Sequence, residues 1–131
     1  MEQHLQELIN KIPTGLLIGD TWREGFAGET FDVLNPATEE KLTTLASATP
    51  EDAIAALDAA CQVQDQWAHT PPRERAEILR QAYDLITDRS EEFATLMTLE
   101  MGKPLAESRG EVVYGAEFLR WFSEETVRDY G

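Results

Sequence analysis

The stretch that decides the fold is TLEMGKPLAE, Thr98–Glu107. Glycine, lysine and proline meet there between two segments whose apolar residues recur at helical spacing. One reading is a phosphate-binding loop, the other a joint between helices. A P-loop needs Ser or Thr after the lysine, a glycine six residues before it and a strand leading in. Here Pro104 follows Lys103, the residue six before it is Met97, and LMTLE continues a helix. The joint is the better reading. Gly102 ends one helix, Pro104 opens the next, and Lys103 sits between them, pairing with an acid or capping carbonyls.

Upstream of the joint, Asp88 or Ser90 starts a helix carrying Phe93, Leu96 and Met97. Before it, Thr70-Pro71-Pro72 opens a helix with Leu79, Ala82, Tyr83 and Ile86 on one face. Earlier still, Thr49-Pro50-Glu51-Asp52 places a capping hydroxyl, a first-turn proline and two acids where a helix N-terminus favours them. That helix brings Ile54, Leu57, Cys61 and Trp67 near one face.

Residues 15–48 have another rhythm. Short β-favouring runs at Leu16–Ile18, Thr30–Leu34 and Leu42–Leu45 are separated by turn residues, which predicts strands in a hairpin or meander. Residues 1–14 form an N-terminal helix or arm, stopped by Pro13 and Gly15. The expected organisation is therefore an arm over 1–14, strands over 15–48 and four helices over 49–131.

The last of these helices, from Pro104 to about Asp129, carries two apolar stripes. Leu105, Val112, Ala116 and Leu119 share one side, and Tyr114, Phe118 and Trp121 share nearly the opposite one. Glu117, Arg120, Glu124 and Arg128 form a charged strip between them. A surface helix of a small domain needs a single apolar stripe. The second one implies a further covering layer or the wall of a cavity.

Composition narrows the function. The chain has 131 residues, 42% of them hydrophobic and 27% charged, as in a globular domain. Its net charge of −14 argues against nucleic acid, which is bound through clustered Lys and Arg. One cysteine excludes an internal disulfide and suits a reducing cytoplasm. The N-terminus lacks a basic segment leading into an apolar run, and nothing approaches the roughly 20 apolar residues of a membrane span. A cytoplasmic protein with no membrane partner is expected.

Catalytic patterns are scarce. GFAG (Gly25–Gly28) is a loop and lacks the GxGxxG dinucleotide spacing. His4 and His69 stand apart, without the clustering of a metal site. Cys61 lies mid-helix among alanines with no neighbouring base to activate it, and reads as a buried structural thiol. The acid pairs Glu39-Glu40, Glu91-Glu92 and Glu124-Glu125 read as solvated faces or helix-terminal charges. The sequence by itself thus offers no catalytic, cofactor-binding or metal-ligating residue.

The order of the segments is more telling than any one of them. LLIGDTWREG and FDVLNPATEE come first, then an alanine-rich helix ending in Trp67. PPRERAEILR, TLEMGKPLAESRGEV and FLRWFSEETVRDYG follow. This series resembles the N-terminal segment of the NAD(P)-dependent aldehyde dehydrogenase superfamily, and within it the bacterial succinate-semialdehyde dehydrogenases. The resemblance runs from about Leu16 to Gly131. It departs at Glu39, where the family often has glycine.

What it implies is an α/β fold with a Rossmann-type cofactor domain, of which residues 1–131 are an incomplete N-terminal portion. It implies a small aldehyde as substrate, succinate semialdehyde oxidised to succinate, and NAD or NADP as cofactor in the complete enzyme, a homo-oligomer. The family's nucleophilic cysteine and general-base glutamate match no residue here, so Cys61 does not take the role. The chain alone is expected to bind no cofactor and to be inactive. By the same resemblance, Tyr114 and Phe118 line the tunnel by which aldehyde reaches the nucleophile. The alternative is a non-catalytic helical interaction module derived from the family, using the Tyr114–Trp121 face as a partner groove.

Overall fold

Among the described residues, 3–128, two antiparallel hairpins and five helices form in a computed structural model. The order is α1 (Gln3–Ile9), β1 (Leu16–Ile18), β2 (Thr21–Arg23), β3 (Thr30–Leu34), β4 (Lys41–Ala46), α2 (Pro50–His69), α3 (Pro72–Asp88), α4 (Ser90–Met101) and α5 (Leu105–Thr126). They fall into two units, Met1–Ala68 and His69–Gly131.

In the first unit, β1 pairs with β2 around the two-residue loop Gly19-Asp20, with Ile18 opposite Thr21. The three runs expected as strands are β1, β3 and β4. The strand β2 was not expected, because Thr-Trp-Arg is too short to show alternation and two of its three residues face solvent. The pairing is two separate two-stranded sheets, not one continuous meander.

Hairpin β3–β4 turns through Asn35–Glu40. The Asn35 side chain accepts from the Ala37 N–H at 2.9 Å, an Asx-turn. The Asn35 carbonyl accepts from the Glu39 N–H at 2.8 Å, and the Asn35 N–H closes the turn on the Glu40 carbonyl at 2.9 Å. This geometry sets Glu39 at φ 61°, the single positive φ among the described non-glycine residues. The family departure seen in the sequence therefore falls on a left-handed position. A left-handed φ costs a side-chain-bearing residue about 1–2 kcal/mol, partly offset because glycine is freer when unfolded. Glu39→Gly is expected to stabilise the chain by about 0.5–1 kcal/mol, read as a higher urea midpoint at unchanged slope. An unchanged or lower midpoint would show that the turn is relaxed as it stands.

Helix α2 begins with reciprocal capping. The Asp52 N–H donates to Thr49 Oγ1 at 3.3 Å and the Thr49 N–H donates to Asp52 Oδ2 at 2.9 Å. Asp52 is the one buried residue of this 20-residue helix. Cys61 is accordingly exposed, which corrects the expectation of a buried thiol. Its alanine-rich helix has an apolar face, and Ile54 and Leu57 are exposed there too.

In the second unit, α5 packs on α3 and α4. Its buried face is Ser108, Val112, Ala116 and Ser123, and the buried residue of α4 is Ala94. Helix α3 starts one residue later than a Thr70 cap would set it. Pro71 is the N-cap, with φ −51°, ψ 137° and no side-chain cap bond. Pro72 keeps its predecessor out of the helical region, so the helix cannot begin sooner. Arg89 alone separates α3 from α4.

The joint at Gly102 matches its sequence reading. Gly102 is left-handed at φ 81° and its N–H donates to the Thr98 carbonyl at 2.9 Å. Pro104 is the N-cap of α5, and Lys103 pairs with Glu111 in the second turn of that helix. Across the elbow the hydroxyls of Thr98 and the fully buried Ser108 lie 2.9 Å apart, so neither is left unsatisfied. Helix α5 ends at Thr126; the expected end near Asp129 lies outside the described residues.

Candidate functional site

The elbow and the buried Val112–Ala116 face fix the rotation of α5, which leaves its other stripe outward. Tyr114 is 69% exposed, Phe118 49% and Trp121 56%. Burying such rings is worth roughly 1.5–3 kcal/mol each, so leaving three in a row in water is unfavourable. With Glu117 and Phe122 they line a shallow apolar groove of about 370 Å³. Tyr114 and Phe118, the two residues expected to line the tunnel, meet edge to face with ring centroids 5.1 Å apart. Trp121 continues their line. Phe122 was missed, since eight positions beyond Tyr114 it lies on the flank of the stripe rather than on its axis.

One rim of the groove is charged. Arg120 donates from Nε to Glu117 at 2.8 Å and from a terminal nitrogen to Glu124 at 3.0 Å. The hydrogen bond from Arg120, and then its positive charge, hold the Glu117 carboxyl below its ordinary range. Glu117 is therefore an ion-paired carboxylate at neutral pH, not a proton donor. The groove offers apolar walls and one anchored charge, but neither cysteine nor histidine lines it. It can hold and orient a small organic molecule, and its lining residues include no thiol or imidazole.

A second polar centre lies in the first unit. Besides its Thr49 bonds, the Asp52 carboxylate accepts the Phe26 N–H at 3.1 Å and pairs with Arg23 at 2.9 Å. Arg23 in turn lies over the Phe26 ring, 4.4 Å from its centroid. These bonds, led by that of the Thr49 N–H, depress the Asp52 pKa. The GFAG loop is thereby spoken for: its Phe26 N–H serves a carboxylate, not a phosphate. A Cβ at Gly25 would stand 2.4 Å from the Ser47 carbonyl oxygen and 3.2 Å from Asp52. Glycine is required there by close approach of backbone. Among the described residues no group of three potential metal ligands comes together, and no helix is long and apolar enough to cross a membrane.

The arrangement has counterparts among solved structures, and they define the class as the aldehyde dehydrogenase fold. An Escherichia coli NADP-dependent enzyme superposes with a TM-score of 0.88 at 40% identity, covering 92% of this chain and 25% of that one. Betaine aldehyde dehydrogenase of Staphylococcus aureus, in complex with NAD+, gives 0.91 at 28% identity, covering 95% and 25%.

The sequence profile of the aldehyde dehydrogenase family matches residues 22–131, and the chain belongs to that family. A succinate-semialdehyde dehydrogenase of Paenarthrobacter nicotinovorans is 79% identical over 90 residues, 69% of this chain and 20% of that enzyme. The NADP(+) succinate-semialdehyde dehydrogenase of Escherichia coli (strain K12) is 43% identical over 115 residues, 88% of this chain and 24% of that enzyme. The chain thus spans about a quarter or less of the curated relatives it matches.

Proposed function

We propose that residues 1–131 are the N-terminal portion of the cofactor-binding domain of an NAD(P)-dependent succinate-semialdehyde dehydrogenase. The observation that carries this is the 79% identity over 90 residues to an enzyme of that name. The complete protein oxidises succinate semialdehyde to succinate with NAD or NADP, as a homo-oligomer. The 131-residue chain alone is inactive. In support of that, the residues lining the α5 groove include neither cysteine nor histidine, and Cys61 lies on a helix with a single buried residue.

Within the complete enzyme, Tyr114 and Phe118 line the passage of the aldehyde. Three exposed rings along one face of α5 support this role. A wall of that kind orients a small substrate and excludes water without touching the reacting bonds. In the full-length enzyme, Tyr114→Ala is expected to lower kcat/KM for succinate semialdehyde roughly tenfold, with Phe118→Ala smaller and in the same direction. Cys61→Ser is expected to leave the rate unchanged. Steady-state kinetics on the three variants check this; wild-type kcat/KM in both ring variants would remove α5 from the passage. Loss of turnover in Cys61→Ser would contradict the separation of Cys61 from the chemistry.

A further inference from the structure

We draw no further inference here: the strongest candidate, the hollow of about 530 Å³ between the Gly19-Asp20 tip of the first hairpin and the alanine-rich face of α2, rests on a stripe of small residues, and nothing in the structure shows what covers it.

Discussion

Asp52→Ala is expected to loosen the whole junction between the first hairpin, the Gly25–Gly28 loop and the start of α2. The carboxylate is fully buried and is bonded by the Thr49 N–H and hydroxyl, the Phe26 N–H and Arg23. Truncation leaves those donors facing one another around a cavity, and a buried donor without an acceptor costs far more than the bond was worth. The thermal midpoint is expected to fall by roughly 5–10 °C, more than for truncation of any exposed residue of the same unit. Asp52→Asn keeps the volume and loses the charge, so it should fall between the two.

The same group predicts a direction with pH. The Asp52 pKa is below the ordinary 3.8 in the folded chain. The folded state therefore holds the carboxylate ionised more readily than the unfolded one. Its contribution is full above the unfolded value and is lost as pH falls through the folded one, in the window below about pH 4. Wild type should lose stability steeply there, and Asp52→Asn less so. Equal acid slopes in the two proteins would show that Asp52 is not the group responsible.

The second large effect concerns the α5 face. As the isolated 131-residue chain, the protein is expected to self-associate and to raise ANS fluorescence severalfold under native conditions. Tyr114, Phe118 and Trp121 lie in one exposed line with Phe122 beside them, and contiguous apolar patches of this sort promote association. Replacing Tyr114, Phe118 and Trp121 by serine together should abolish most of the dye response without unfolding, because the buried face of α5 is Val112 and Ala116 on the opposite side. Analytical ultracentrifugation and dye titration read both. A monodisperse, dye-silent monomer would contradict the account.

The helical elements were legible because their signals are local. Gly102, Pro104 and the spacing of Val112, Ala116 and Leu119 fix the elbow and the buried side of α5 within a few residues of chain. The two-stripe pattern likewise puts Tyr114 and Phe118 on the outward side of α5. The misses involve partners distant in sequence. Asp52 reads as a first-turn acid, and nothing local says that it also holds Phe26, 26 residues earlier. Strand β2 is three residues long and owes its form to pairing with β1. Cys61 reads as buried from its apolar neighbours, yet burial depends on what packs against the helix, which periodicity cannot state. Glu39 was visible as a departure from the family turn; its left-handed φ came only with the structure.

The most direct test is to isolate the natural gene product from its own cells, weigh it intact, and assay it with succinate semialdehyde and either NAD or NADP. The account predicts a polypeptide several-fold heavier than 14.7 kDa that reduces the cofactor in step with succinate formation, while the purified 131-residue chain does not. A natural product of 14.7 kDa, turnover by the short chain alone, or a long product inert towards succinate semialdehyde would contradict it.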